Sequence, residues 1–209
     1  KYRKRIFEKV LDSNVRIVLP ELADARVVSA VNKMKKIGFN VIDLNNFSDD
    51  YLFYKESICN KSFTNNWTEE MIDNYLKNTL IQGLLMLDNN KVDCLVAGAI
   101  TSTADVIKSS IRLIGVKNNL VSSTFLMISP EADLAFTYSD CGVIPEPDEK
   151  QLVSIAYNAA NSHKLLTSEE PRVVFLSFST KGSAKHYKVK RIQNAVDLFS
   201  KKYPNIIHD

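Results

Sequence analysis

Short apolar runs alternate along the chain with stretches whose apolar residues recur at helical spacing. Residues 15–19 form an apolar run closed by Pro20 and are predicted to be a buried strand. Residues 25–37 place Val27, Val28, Val31, Met34 and Ile37 on one helical face, which stops at Gly38. Residues 41–44 predict a second strand. Residues 45–66 are polar and irregular and read as loop with room for a short helix. Thr68 opens a long helix, with Glu69 and Glu70 in the first turn, where acidic side chains favour the helix dipole. Residues 92–97 have the continuous apolar character of a strand buried in a parallel sheet and end at Gly98. A helix follows over 101–114. Strands at 121–128 and 134–138 are close enough to pair. A helix over 148–166, a strand over 173–178 and a helix over 183–202 complete the pattern. Strands alternating with crossover helices predict an α/β protein with a parallel sheet covered on both faces. The polar stretch 115–120 is the best candidate for a boundary between two domains, 1–118 and 119–209.

Composition changes this picture little. A chain of 209 residues with 45% hydrophobic and 24% charged residues has room for one or two ordinary globular domains. A net charge of +3 is too small to argue for nucleic acid. No apolar run approaches the roughly 18–20 residues of a membrane span. The basic opening Lys1-Tyr2-Arg3-Lys4-Arg5 has no apolar segment behind it, so no signal peptide is expected; the absence of an initiator methionine suggests a missing or processed terminus. Cys59, Cys94 and Cys141 are an odd set without a close pair, which suits a reducing cytoplasm. The six glycines are scattered, so neither the dinucleotide fingerprint nor the nucleotide phosphate loop can be written. The histidines are far apart and no Cys-x-x-Cys exists, so no metal site is expected.

In a parallel sheet, ligands collect beyond the carboxyl ends of the strands. Two such ends are rich in hydroxyls. The first, residues 98–105, gathers Thr101, Ser102 and Thr103 at the start of a helix, with Lys108 one turn further on. Free backbone N–H groups and the positive helix end make this a natural anion site. The same residues also suit a plain N-cap. The second, residues 177–185, offers Ser179, Thr180, Lys181 and Gly182, again between a strand and a helix. Lysine near a helix N-terminus is electrostatically unfavourable, so its presence asks for a reason such as a phosphorylated ligand; the alternative is a capped helix with a solvated basic turn. A third segment, Asp140-Cys141-Gly142-Val143-Ile144-Pro145-Glu146-Pro147, holds a cysteine that would be a nucleophile only with a base beside it; a small buried cysteine is the simpler reading.

These segments in this order resemble the phosphate acetyl/butyryl transferase family. Leu19-Pro20-Glu21, followed by Asp24 and Arg26, resembles the family's entry motif. Residues 92–99 running into Ser102-Thr103-Ala104-Asp105 resemble its signature strand and loop. Asp140-Cys141 with Pro145 and Pro147 is similar to another block, and Pro171-Arg172-Val173 through Ser177-Phe178-Ser179-Thr180-Lys181-Gly182-Ser183 to a further one. The likeness covers nearly the whole chain except about residues 45–66.

The resemblance implies two parallel-sheet α/β domains flanking a cleft, of the isocitrate/isopropylmalate dehydrogenase type, in a cytoplasmic homodimer. It implies reversible transfer of an acetyl group between acetyl phosphate and coenzyme A, which is a substrate; no tightly bound cofactor, nucleic acid or membrane is involved. Thr101, Ser102, Thr103 and Lys108 are then expected to bind substrate, facing Ser179, Thr180, Lys181 and Gly182 across the cleft. In the family the coenzyme A thiolate attacks the acyl phosphate carbonyl, with an aspartate as base and a serine and arginines steadying the charge. Those catalytic residues are expected beyond Asp209, so the 209-residue chain alone is expected to have no meaningful activity. The chain departs from the family by carrying Lys108 where an arginine is usual, and by having no arginine between Arg26 and Arg112. Lysine meets a phosphate as a point charge and arginine as a two-pronged fork, so the anion grip is weakened. A degenerate, non-catalytic domain that binds acyl-CoA or phosphate, and a phosphate butyryltransferase, are the alternatives.

Overall fold

The computed structural model describes residues 2–116, 120–129, 134–180 and 183–209. The chain is mixed α/β and divides into two compact units, one spanning Phe7–Val116 and the other combining Lys1–Ile6 with Lys117–Asp209.

In the unit Phe7–Val116, strand β1 (Ile17–Val18) is central. It pairs in parallel with β2 (Cys94–Leu95), placing Ile17 opposite Cys94 and Val18 opposite Leu95, and Ile17 also bridges Val41 in parallel. The three apolar runs predicted as strands therefore do lie side by side. Their regular ladder is only two residues long. It runs as far as the Val96 N–H donating to the Val18 carbonyl at 3.0 Å; the next donor on β1 would be Pro20, which has no N–H. Helix α1 (Tyr2–Asp12), whose residues up to Ile6 are counted with the other unit, precedes β1, and α2 (Ala25–Ile37), with the predicted bounds, follows it. Asp24 caps its start, and Gly38, at φ 106°, closes it by donating to the carbonyls of Met34 and Lys35. Its inner face packs Val27 against Ile17 and Leu19.

The reading of residues 45–66 as loop is incomplete. They hold α3 (Asn46–Asp49), α4 (Tyr51–Cys59) and a 3-10 turn, Ser62–Thr64. Phe47, Tyr51, Tyr54 and Ile58 recur at helical spacing, and Phe47, Tyr54 and Ile58 are buried in the main core. The long helix predicted from Thr68 is two helices, α5 (Glu69–Leu76) and α6 (Thr79–Asp88). Asn78 separates them, because its side chain accepts the Leu80 N–H at 2.9 Å and so starts a new helix. Helix α6 is buried on most of its surface. It lies so close to β2 and Pro20 that a Cβ on Gly83 would stand 2.7 Å from Leu95 Cδ1. Helix α7 (Thr103–Leu113) follows β2, with Ser102 as its cap.

In the other unit, β3 (Phe125–Ile128) pairs antiparallel with β4 (Ala135–Tyr138). Helix α8 (Glu149–Thr167) starts at a reciprocal cap between Asp148 and Gln151 and packs on β4 and on α9 (Tyr187–Lys202). Strand β5 (Arg172–Val173) pairs in parallel with β6 (Ile207–His208), and the Phe175 N–H donates to the Asp209 carbonyl at 2.9 Å. Val153, Ala156 and Phe199 form the core, joined by Tyr157, Val173, Phe175, Tyr203 and Ile206. The helix predicted over 183–202 begins at Tyr187. His186 takes the cap, its Nδ1 accepting the Lys188 N–H at 3.2 Å, while the residues before it form a turn.

Candidate functional site

The loop leaving β2 is held by residues of the β1–α2 turn. Glu21 is 3% exposed, and both its carboxylate oxygens accept backbone bonds from that loop. Oε2 accepts the N–H of Gly98 at 2.8 Å and of Ala99 at 2.7 Å; Oε1 accepts that of Ile100 at 3.2 Å and of Thr101 at 2.8 Å. Burial pushes the Glu21 carboxyl up, but the bonds from Thr101, Ala99 and Ile100 outweigh it and hold the group at about 2. Arg26 adds a bond from Nη2 to the Ala99 carbonyl at 3.1 Å, while its guanidinium grips Asp24. That side-chain bond, with the Arg26 N–H, holds the Asp24 carboxyl at about 2. The backbone N–H groups expected to be free for a ligand are thus, through Thr101, already bonded to an internal carboxylate.

The start of α7 is different. Ser102 Oγ accepts the Asp105 N–H at 3.1 Å and donates to Asp105 Oδ2 at 2.7 Å, an N-cap in full. The N–H groups of Thr103 and Ala104 have no partner among the described residues. Thr103 and Lys108 are exposed, and Lys108 makes no ion pair or hydrogen bond among the described residues. Thr101, Ser102 and Thr103 thus stand at the start of α7, and Lys108 lies in the second turn of the same helix. The plain N-cap reading therefore holds for Ser102.

In the second candidate segment, the hydroxyls bond to one another. Ser179 Oγ lies 2.7 Å from Ser183 Oγ, and the Ser183 hydroxyl and N–H both donate to the Thr180 carbonyl, at 2.8 and 2.9 Å. Ser179 and Thr180 thus sit in a closed turn that precedes the helix rather than capping it. Lys181 and Gly182 lie outside the described residues. Beside this turn, a cavity of about 220 Å³ is lined by Pro145, Leu176, Phe178, Lys188 and Arg191 among others. Arg191 is engaged there, with Nη1 3.2 Å from Glu146 Oε1.

Asp140, in the third segment, ties a turn. It accepts the N–H and hydroxyl of Ser123 at 2.6 and 2.8 Å and the N–H groups of Val143 and Ile144 at 3.0 and 2.7 Å. Burial pushes its carboxyl up, and these donors overcome that and hold it below the usual aspartate range. The Cys141 thiol donates to the Tyr138 carbonyl at 3.3 Å, which gives it no activating base. Among the described residues, no group of three or more His, Cys, Asp and Glu side chains could hold a metal ion, and no helix is long and apolar enough to cross a membrane. Glu21 is the residue whose role sequence reasoning missed. It stands directly after the proline that closes β1, and the strand it must neighbour ends in glycine; that juxtaposition was the available signal.

Comparison with known proteins gives this geometry a setting. Residues 37–209 match the family model described as phosphate acetyl/butaryl transferase. The phosphate acetyltransferase of Thermoanaerobacterium thermosaccharolyticum is 30% identical over 235 aligned residues, covering 98% of this chain and 71% of the relative. That of Acetivibrio thermocellus is 28% identical, covering 100% of this chain and 71% of the relative. The structure is similar to a phosphotransacetylase from Streptococcus pyogenes with a TM-score of 0.85 and 26% identity, over 100% of this chain and 71% of that one. It is also similar to the EutD phosphotransacetylase from Staphylococcus aureus, with a TM-score of 0.80 and 29% identity over 97% and 69% of the two chains.

Proposed function

This chain belongs to the phosphate acetyl/butaryl transferase family, and from that premise we propose that it serves an enzyme that interconverts acetyl-CoA plus phosphate and coenzyme A plus acetyl phosphate. The carrying observation is the family match over residues 37–209, together with fold likeness to phosphotransacetylases. The acetyl choice follows the named relatives. In the direction from acetyl phosphate to acetyl-CoA, the coenzyme A sulfur attacks the acetyl carbonyl carbon. A C–S bond forms, the C–O bond to phosphorus breaks, and the phosphate leaves with the electron pair. The thiol proton must pass to a base.

Within this reading, the start of α7 receives the phosphoryl end of the substrate. The amides of Thr103 and Ala104 and the Lys108 ammonium, which have no partner among the described residues, support that role, with Thr101 and Ser102 shaping the approach. Ser179, Thr180, Lys181 and Gly182 are proposed as substrate contacts contributed by the other unit. Their support is the likeness of that segment to the family's block. The reading also takes the two units as α/β domains of the isocitrate/isopropylmalate dehydrogenase type in a cytoplasmic homodimer. The family resemblance supports this, and the free cysteines suit a reducing compartment.

The test is a transfer assay on the full protein, following the thioester of acetyl-CoA as acetyl phosphate is consumed. Coenzyme A-dependent, phosphate-releasing turnover is expected. Acetyl phosphate hydrolysis that ignores coenzyme A would overturn the reading.

A further inference from the structure

The loop at residues 98–101 has the form of an anion-binding nest, a run of backbone amides converging on one point. The anion at that point is part of the protein. Glu21 fills the nest with both carboxylate oxygens, and its near-complete burial leaves no room for a ligand anion on the same amides. Gly98, at φ 106°, lets the chain enter the curve, and Arg26 Nη2 donates to the Ala99 carbonyl at 3.1 Å. The next residues are Thr101, Ser102 and the first turn of α7. Their directions follow from where Glu21 pins the amides before them.

We propose that Glu21 is a positioning residue for the transferase: an internal anion that preorganises residues 98–101 so that the start of α7 meets the phosphoryl group with its donors already aimed. This rests on the reading of that helix end as the phosphoryl site. A substrate phosphate is thereby excluded from the nest and directed to the Thr103 and Ala104 amides and to Lys108. Preorganised donors aid binding and catalysis because no loop ordering remains to be done when the ligand arrives.

Glu21→Gln and Glu21→Ala in the full protein test this. The glutamine keeps the volume but turns an NH2 donor toward amide donors, so it opposes part of the nest in either orientation. Each charge-assisted bond is worth enough that KM for acetyl phosphate should rise about tenfold or more, with kcat changing less. A residue needed only for folding would lower the active fraction, hence the maximal rate, and leave KM unchanged; that result in Glu21→Gln overturns the proposal. In Glu21→Ala the emptied nest should accept formate. Sodium formate should then raise the thermal stability of the variant saturably and bring KM back toward wild type, while sodium chloride at equal ionic strength should not. An active Glu21→Ala enzyme indifferent to formate overturns the proposal and leaves the transferase reading intact. A wild-type protein without transferase activity sinks the phosphoryl-site reading, and formate stabilisation of Glu21→Ala still judges the nest.

Discussion

A carboxylate that is 3% exposed persists at Glu21 because four backbone donors replace the water it has lost. Its carboxyl is held at about 2, below the 4.5 of an ordinary glutamate. The unfolded chain therefore binds a proton more readily than the folded one. Stabilisation from the charge is complete above about pH 4.5 and is lost as pH falls toward about 2. Asp24, Asp93 and Asp140 are lowered as well, so the acid limb of the wild type alone does not isolate Glu21. The difference between wild type and Glu21→Gln does: it should be largest above about pH 4.5 and shrink toward about pH 2 in urea unfolding curves. A difference constant across that window would show that the charge is not what stabilises the loop. Lys108 lies in the second turn of α7 and has no competing partner among the described residues. Its loss should remove a charge-assisted bond of about 1.5–3 kcal/mol, so Lys108→Ala should use acetyl phosphate roughly 10–100 times less efficiently by kcat/KM. Lys108→Arg should be neutral or better, because the guanidinium fork suits a phosphate. An unchanged kcat/KM in an active Lys108→Ala enzyme would make Lys108 only a solvated helix residue.

Helix ends were the most legible elements, because capping chemistry is local. The helix over 25–37 could be bounded from its apolar spacing and Gly38, and Thr68 does start α5, its hydroxyl accepting the Met71 N–H at 3.3 Å. Where two side chains could take the cap, the outcome was not local. Asn78 divides a pattern that reads as one helix, and His186 starts α9 after the serines bond to each other. The buried stripe Phe47, Tyr54 and Ile58 was hidden by the polar residues between, although the spacing was there. Strand lengths were overestimated because an apolar run signals burial, whereas a ladder also needs a donor at each alternate position. Of the site, the hydroxyl loop at α7 was visible in composition. Its occupation by Glu21 was not, since the two segments lie far apart in the chain and are brought together by the β1–β2 pairing. The cap of α8 gives a direct check at this scale. Asp148 accepts the Gln151 N–H at 2.7 Å, and Gln151 Oε1 accepts the Asp148 N–H at 2.9 Å. Asp148→Ala should destabilise by about 1 kcal/mol, read from the midpoint of denaturant unfolding with the slope unchanged. A stability equal to wild type would mean that the helix start is held by packing alone.

At the scale of the whole molecule, each unit has its own buried cluster, one around Leu84 and Leu85 and the other around Phe199. The sequence supports stable scaffolding on both sides of residue 116, while the polar groups assigned to substrate stand at loop and helix ends. The +3 net charge is too small to attract a polyanionic ligand by itself, so affinity for coenzyme A must come from shaped contacts. Shaped contacts saturate and general ionic effects do not. A ligand that binds only the folded state raises stability by mass action, by about 2.7 kcal/mol at one hundred times its dissociation constant. In a protein of this size 1 kcal/mol moves the melting temperature by about 2–4 °C, so saturating coenzyme A should raise Tm of the full protein by roughly 5–10 °C. The rise should follow a hyperbola in coenzyme A concentration, and potassium chloride at matched ionic strength should not reproduce it. A folded protein whose Tm is indifferent to millimolar coenzyme A would not be binding that substrate, and the acyl transfer assigned to it would then lack its acceptor.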